Sequence, residues 1–179
     1  MAKKVLVISS TFRNSGNSLM LAEAFADGAR KAGNDVELVP LKGKKIEFCL
    51  GCLTCQKTKK CVIKDDAPAI TEKMKNADVI AFATPVYYYA MSGQLKTMLD
   101  RANPLFADDY KFRSIYLLAT AAEDDDSAVD GTLNGIEGWI SCFEKAKLKG
   151  VVRGVGATDA GTVAEEKLEE ARKMGGKIK

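Results

Sequence analysis

The feature that most constrains the fold of this chain is a regular alternation of short apolar runs with longer segments of helical periodicity. The apolar runs are rich in Val, Ile, Leu and Ala, which is typical of strands buried inside a sheet. They predict five strands, over residues 4–9, 35–41, 78–83, 114–120 and 150–156. Apolar residues at helical spacing predict helices over residues 17–32, 66–76, 92–102, 130–147 and 163–173. Strands that alternate with helices in this way indicate a parallel sheet with helices on both faces.

The predicted elements have the number and order expected of a flavodoxin-like fold. This α/β fold is a three-layer sandwich around a five-stranded parallel sheet of order 2-1-3-4-5. A length of 179 residues is enough for one domain with a sizeable core. We therefore expect residues 1–179 to form a single domain with a cysteine-rich insert at 47–66. Sheets of this kind bind ligands at the carboxyl ends of their strands, so the loops after the first, third and fourth strands are expected to hold the chemistry.

Charge and hydropathy exclude two classes of partner. The net charge is +3 and the basic residues are scattered along the chain, so nucleic acid is not expected as a partner. The apolar run near the N-terminus, VLVI, is shorter than the roughly 7–15 residues that a signal peptide needs. The longest apolar stretch, VIAFATPVYYYAM, is interrupted by Pro85 and is too short to cross a bilayer. We therefore expect a cytoplasmic protein without a membrane partner.

The complete absence of histidine removes several common mechanisms. Ser-His-Asp hydrolysis, Cys-His nucleophilic catalysis and zinc catalysis with histidine ligands all need an imidazole. A cofactor that carries its own redox chemistry needs no side-chain acid or base, because the protein only has to bind, orient and tune it. We therefore predict no catalytic side chain and expect a bound cofactor to do the chemistry.

The first predicted strand-end loop, SSTFRNSGNS over residues 9–18, combines features that suit a phosphate group. It offers hydroxyls, a positive charge, a glycine that permits close backbone approach and the free N–H groups of a helix N-terminus. The residues concerned are Ser9, Ser10, Thr11, Arg13, Gly16 and Ser18. A polar turn with Asn17 as the helix cap is the alternative. The loop matches neither the Walker A pattern nor G-x-G-x-x-G, which disfavours a Rossmann dinucleotide site.

The second and third loops follow the predicted third and fourth strands. In TPVYYYAMSGQLK, residues 84–96, Pro85 fixes the backbone and three tyrosines follow. Backbone groups there could hydrogen-bond a flat heterocycle while an aromatic ring packs beside it; a subunit interface is the alternative, and the two are compatible. Thr120 opens the third loop and could contact such a ring. The acidic run at 123–126 is expected to favour the N-terminus of the next helix through its dipole.

Two of these loops carry motifs that resemble the NAD(P)H-dependent FMN reductases of the flavodoxin-like superfamily. One is the S/T-x-R-x-x-G-N-S/T pattern after the first strand, and the other is TPVYYYAMSGQLKTMLDRA after the third. The resemblance implies FMN as cofactor, NAD(P)H as a possible donor and a flavin-dependent oxidoreductase. By this resemblance the phosphate would be held by Thr11, Arg13, Asn17 and Ser18. The isoalloxazine would be bordered by Pro85, Val86, Tyr87 and Tyr88, with Thr120 on its far side.

Four of the five cysteines lie within thirteen positions, in the pattern C-x2-C-x2-C-x5-C. They are Cys49, Cys52, Cys55 and Cys61. Disulfides are disfavoured in the cytoplasm, and structural zinc usually takes its ligands as two pairs separated by a dozen or more residues. Three cysteines at x2 spacing are typical of iron–sulfur sites. Zinc, and FMN with free thiols, remain open alternatives. The fifth, Cys142, is expected on the apolar side of a helix as a core residue.

The cysteine pattern also resembles that of the iron–sulfur flavoproteins, a branch of the same superfamily. The resemblance implies a [4Fe–4S] cluster on these four cysteines that passes single electrons to FMN. A ferredoxin-like protein would supply the electrons, and a small acceptor such as a quinone, oxygen or peroxide would receive them. A homodimer or homotetramer is implied, in which the cysteine segment of one subunit approaches the FMN of another. An NAD(P)H-dependent FMN or quinone reductase without a cluster is the alternative function.

Overall fold

A parallel sheet of five strands organises the chain, and the computed structural model describes residues 1–179. The sheet order is β2-β1-β3-β5-β6, and the short strand β4 pairs antiparallel with β3. The strands are β1 (Lys4–Ser9), β2 (Asp35–Pro40), β3 (Val79–Tyr87), β4 (Ala90–Met91), β5 (Ser114–Thr120) and β6 (Lys147–Gly154). The five parallel strands therefore confirm the predicted flavodoxin-like order, with β4 as an unpredicted addition.

The chain has six α-helices, and all except the second pack on the two faces of this sheet. They are α1 (Asn17–Lys31), α2 (Thr54–Thr58), α3 (Ala67–Asn76), α4 (Gly93–Arg101), α5 (Asp130–Ile140) and α6 (Glu165–Gly176). Two 3₁₀ helices, Asn103–Ala107 and Asp126–Val129, precede β5 and α5. No helix is both long and apolar enough to cross a bilayer.

Two separate apolar cores lie between the sheet and its helices. One holds buried residues of α3, α4 and α5, such as Ile70, Leu95 and Ile136, against one face of the sheet. The other holds buried residues of α1 and α6, such as Phe25 and Leu168, against the opposite face. Side chains alternate between the faces along each strand, so β1 and β3, which are buried on both sides, supply residues to both cores. The result is the predicted three-layer sandwich.

The C-terminal part of the chain differs from the sequence prediction. The helix predicted over 130–147 ends at Ile140, and the strand predicted from residue 150 begins at Lys147. The chain turns at 141–146 because Lys147 pairs with Ser114, while Phe143 packs edge-on against Phe112 in the core. Cys142 lies in this turn and is exposed, so the prediction that it is a core residue was wrong.

Candidate functional site

The carboxyl ends of the parallel strands surround a cavity of about 250 Å³, here called the strand-end cavity. The loops after β1, β3, β5 and β6 all contribute to its wall. Its lining residues are Thr11, Arg13, Gly16, Asn17, Ser18, Pro85, Val86, Tyr87, Thr120, Ala122, Ala157 and Thr158. This is the position at which an open parallel sheet binds ligands, beside the point where the strand order reverses.

Eight of the ten cofactor-binding residues predicted from the sequence line this cavity. The other two lie elsewhere. Ser9 ends β1 and is 1 % exposed, beneath the loop that lines the cavity. The Tyr88 side chain is 100 % exposed and does not line the cavity.

The loop after β1, residues 9–18, contains two buried hydroxyls without a partner. Neither the Ser9 Oγ nor the Ser18 Oγ makes a hydrogen bond within the protein. A buried hydroxyl without a partner costs roughly 1–3 kcal/mol, so that of Ser18, which lines the cavity, indicates a ligand that would satisfy it. α1 also begins at Asn17 with no side-chain cap, which leaves its first N–H groups available to an anion. The loop therefore fits a phosphate group, and Asn17 is not the helix cap that the alternative required.

Gly16 allows the loop after β1 to fold tightly against Thr11. A Cβ at Gly16 would lie 2.5 Å from the Thr11 Oγ1, closer than any side chain could be accommodated without displacing that threonine. The same Oγ1 accepts a hydrogen bond from the Arg13 N–H at 3.3 Å. The glycine is therefore required by close packing, since its φ of −64° would suit any residue.

The Asn17 side chain anchors a wall of the cavity that the sequence analysis did not predict. Its Nδ2 donates to the carbonyls of Ala157 and Asp159 at 3.0 and 2.7 Å. Its Oδ1 accepts from the N–H groups of Thr162 and Val163 at 2.8 and 3.1 Å. These four bonds use the full capacity of the amide, so Asn17 positions the loop after β6. The only signal for that loop in the sequence is the run of small and polar residues GATDAGT after the last strand.

The last two of the three tyrosines form a strained hairpin turn that follows β3. Tyr88 and Tyr89, between β3 and β4, both have positive φ, 49° and 60°. Two-residue hairpins need positive φ at both positions, which usually selects Asn or Gly. A hydrogen bond with Glu123 raises the pKa of the Tyr89 phenol, and a Cβ at Gly131 would lie 2.1 Å from the Tyr89 carbonyl oxygen. The hairpin is thus held in place by Glu123, in the loop after β5, and by Gly131 of α5.

Buried hydroxyls connect the first loop with the second. The Ser92 Oγ donates to the Ser10 Oγ at 2.9 Å, and the Ser10 Oγ donates to the Ala83 carbonyl at 3.2 Å. The Ser92 N–H donates to the Thr84 Oγ1 at 3.1 Å. Ser92 is also the N-cap of α4, where its Oγ accepts from the Leu95 N–H. This network fixes the two loops relative to each other, and α4 to both.

The cysteine segment, residues 47–66, lies outside the sheet. Its only regular element is the five-residue helix α2, which is flanked by Leu53 and Lys59 in the left-handed conformation. Cys49 and Cys52 are exposed, Cys61 is partly buried and Cys55 is buried. No three of the protein's Cys, Asp and Glu side chains lie close enough together to hold a metal ion in this structure.

Three of the four sulfur atoms nevertheless receive a hydrogen bond within the protein. The Gly51 N–H donates to Cys49 at 3.5 Å, and the Asn103 Nδ2 donates to Cys55 at 3.1 Å. The Arg101 Nη2 donates to Cys61 at 3.5 Å. Polar contacts with the backbone and side chain of Thr54 lower the pKa of the Cys52 thiol. Hydrogen-bond donors to sulfur stabilise thiolate ligands. The chemistry of the four cysteines therefore fits a thiolate site, although their sulfur atoms do not converge on one point in this structure.

A buried ion pair closes the base of the cysteine segment. Arg101 and Asp65 form a bidentate pair at 2.6 and 2.9 Å, with side chains 0 % and 1 % exposed. Burial opposes the charged form of Asp65, but hydrogen bonds from Arg101 and from the N–H groups of Glu47 and Ala67 lower the pKa of its carboxyl. Arg101 was not among the predicted site residues. The sequence signal that could have indicated Arg101 is the D-R pair near the end of TPVYYYAMSGQLKTMLDRA.

Comparison with known proteins places the chain in a family. The sequence model described as NADPH-dependent FMN reductase matches residues 3–130. The chain belongs to this FMN reductase family. That membership confirms the family predicted from the sequence.

Individual relatives agree with the family and the fold. The chain is 38 % identical over 102 residues to an iron–sulfur flavoprotein of Methanocaldococcus jannaschii, covering 57 % of this chain and 53 % of that protein. It is 27 % identical over 138 residues to an iron–sulfur flavoprotein of Methanosarcina thermophila, covering 76 % and 72 %. An NAD(P)H:quinone oxidoreductase from Methanothermobacter marburgensis shares the fold, with a TM-score of 0.81 at 17 % identity over 98 % and 96 % of the two chains. The match to the first relative thus spans about half of that protein's length.

Proposed function

We propose that this protein is a flavin-dependent oxidoreductase that binds FMN in the strand-end cavity. The observation that carries the proposal is the buried, unpartnered hydroxyl of Ser18 on the cavity wall, beside the uncapped start of α1. A phosphate group supplies the acceptor oxygens and the negative charge that this arrangement lacks. Bound FMN supplies redox chemistry of its own and needs no acid or base from the protein.

Each part of the cavity then has a role toward the cofactor. Thr11, Arg13 and Ser18 bind the phosphate together with the first turn of α1, while Asn17 positions the loop after β6. On the ring side, Pro85, Val86 and Tyr87 border one edge of the isoalloxazine and Thr120 the other. Tyr88 contributes its backbone alone, because its side chain is fully exposed.

We further propose that Cys49, Cys52, Cys55 and Cys61 ligate a [4Fe–4S] cluster. The hydrogen bonds received by the sulfurs of Cys49, Cys55 and Cys61 support this assignment, as do the names of the relatives with 38 % and 27 % identity. Such a cluster exchanges single electrons. The segment around the cysteines, which has little regular structure, would become ordered when its four cysteines bind the cluster.

The proposed path runs from a ferredoxin-like donor through the cysteine segment to the cavity, and on to a quinone, oxygen or peroxide. The quinone oxidoreductase that shares the fold supports a quinone as acceptor.

All five cysteines are free, which supports a cytoplasmic location. Exposed apolar side chains surround both regions, among them Phe12, Phe48, Leu53 and Phe106, and we propose that they contact a second copy of the chain.

The proposal is tested by the content of FMN, iron and sulfide in protein purified without oxygen. We expect one FMN and about four irons and four sulfides per chain. Cys52→Ala should lose the broad iron–sulfide absorbance and keep FMN, whereas Cys142→Ala, which changes an exposed thiol outside the segment, should keep both. Flavin bands without iron, together with rapid bleaching by NADPH alone, would instead indicate a reductase without a cluster.

A further inference from the structure

Arg101 is the most completely buried charged residue of the molecule, and its contacts lie on the cysteine segment. Its side chain is 0 % exposed. Besides the pair with Asp65, its Nη1 donates to the Glu47 carbonyl at 2.7 Å and its Nη2 donates to the Ile63 carbonyl at 3.4 Å. The Nε makes no hydrogen bond within the protein. A fully buried guanidinium is unusual in a protein core, and its position calls for an explanation other than packing.

The contacts of Arg101 bracket the four cysteines. Glu47 lies just before the first cysteine, and Ile63 just after the last. Asp65 adds to the closure because its carboxylate accepts from the Glu47 N–H at 2.8 Å and the Ala67 N–H at 3.0 Å. The two ends of the segment are therefore held together without any contribution from α2. A loop closed in advance costs less entropy when its cysteines converge on one ligand.

Two donors to sulfur come from the same place in the fold. Arg101 ends α4 and donates to Cys61, and Asn103, two residues later, donates to Cys55. The other end of α4 is capped by Ser92, whose hydroxyl donates to Ser10 of the first loop. One helix thus connects the strand-end cavity with the cysteine segment, over a length of about 13 Å for nine residues.

We propose that Arg101 is a positioning residue of the cluster site. It closes the segment around the four cysteines and places a positive charge and a hydrogen bond on Cys61. Asn103 supplies the corresponding hydrogen bond to Cys55. This inference rests on the proposed cluster. Hydrogen bonds and positive charge next to ligand sulfurs favour the reduced, more negative state, so both residues act on the reduction potential as well as on iron retention.

The test uses FMN-loaded protein, purified without oxygen, as wild type, Arg101→Lys and Asn103→Leu. Arg101→Lys keeps a positive charge against Asp65 but loses the planar fork that reaches Glu47, Ile63 and Cys61 together. We expect iron loss to a chelator to accelerate at least tenfold, in line with the effect of other outer-sphere partners, and the reduction potential of the remaining cluster to fall. Asn103→Leu leaves the ion pair intact and should lower the potential with FMN content unchanged.

The matched control is Arg113→Lys, because Arg113 is exposed and donates only to nearby backbone carbonyls. It should behave as the wild type. Labelling of Cys61 by iodoacetamide in iron-free protein gives a readout that does not depend on the cluster. Arg101→Lys should increase its rate, because opening the base of the segment exposes a thiol that is partly buried in the wild type.

Two results would overturn the inference while leaving the proposed function in place. One is a wild type with about four irons whose Arg101→Lys variant retains iron at the wild-type rate. The other is iron loss in Arg101→Lys with unchanged potentials in both variants, since a merely structural residue would give that result. A wild type that binds no iron after anaerobic purification would overturn both the cluster and the role of Arg101.

Discussion

The strand-end cavity and the cysteine segment are two proposed cofactor sites built in opposite ways. The cavity is formed by loops that leave four parallel strands, and side chains such as Asn17 and Ser92 cross-link those loops through hydrogen bonds. The cysteine segment has one short helix and is tied to the rest of the protein mainly through Arg101 and Asp65. One site is therefore already shaped for its ligand, whereas the other is closed only at its base.

This difference follows from where each site lies in the fold. The loops of the cavity begin where strands end, so the sheet that buries the core also fixes their starting points. The cysteine segment lies between β2 and α3, and its cysteines depend on a few polar contacts. We infer that the flavin site is preformed and that the cysteine segment becomes ordered only when its cysteines bind metal.

The largest effect is expected from breaking the base of the cysteine segment. Arg101→Ala leaves the Asp65 carboxylate buried without its partner, which should lower the free energy of unfolding of the iron-free protein by about 3 kcal/mol. Urea denaturation under reducing conditions measures this loss. Arg30→Ala is the control, because its pair with Asp27 is exposed and should contribute less than about 1 kcal/mol. Equal losses in the two variants would mean that the base is not closed by this ion pair.

The next effect concerns the network that fixes the loops of the cavity. Ser92→Ala removes the cap of α4 and leaves the Ser10 and Thr84 hydroxyls short of a partner. We expect a loss of about 2 kcal/mol in the free energy of unfolding, accompanied by weaker FMN binding. Calorimetry with and without FMN separates the two effects. Unchanged FMN affinity would show that the network does not shape the cavity.

A preformed phosphate site predicts opposite effects on stability and binding. Ser18→Ala removes a buried hydroxyl that has no partner in the protein, so the FMN-free protein should be as stable as the wild type or more so. The dissociation constant for FMN should rise about tenfold, since the lost hydrogen bond is to a charged group. Fluorescence titration of FMN measures this constant. Ser141→Ala, at an exposed serine, serves as control, and an equal change there would contradict the assignment.

The smallest effect concerns a surface tie between the cysteine segment and α3. Asp108 accepts a hydrogen bond from Lys75 and pairs with Lys59, and these contacts lower the pKa of its carboxyl to about 2. A lowered pKa stabilises the fold above the unfolded value of 3.8, and this stability is lost as the pH falls from there to about 2. Asp108→Asn should flatten this acid limb by less than about 1 kcal/mol, measured by thermal unfolding between pH 5 and pH 2. A limb of wild-type steepness in the variant would refute the assignment.

The sequence predicted the sheet well because buried strands leave a direct record of apolar residues. It predicted eight of the residues that line the cavity because seven lie in two motifs at strand ends and the eighth, Thr120, ends a predicted strand. It missed the loop after β6, whose position depends on long-range bonds from Asn17, and it missed Arg101, whose burial depends on tertiary contacts. It also extended the helix at 130–147 through a turn, because the apolar Phe143 continues a helical pattern while packing into the core from outside the helix.

The most direct test of the difference between the two sites is amide hydrogen exchange on FMN-loaded protein with and without iron. We expect residues 9–18 and 84–92 to be protected in both forms, because the flavin site does not depend on the metal. Residues 49–62 should exchange rapidly without iron and become protected when the cluster is assembled. Equal protection of 49–62 in both forms, at the level of the sheet, would contradict the account.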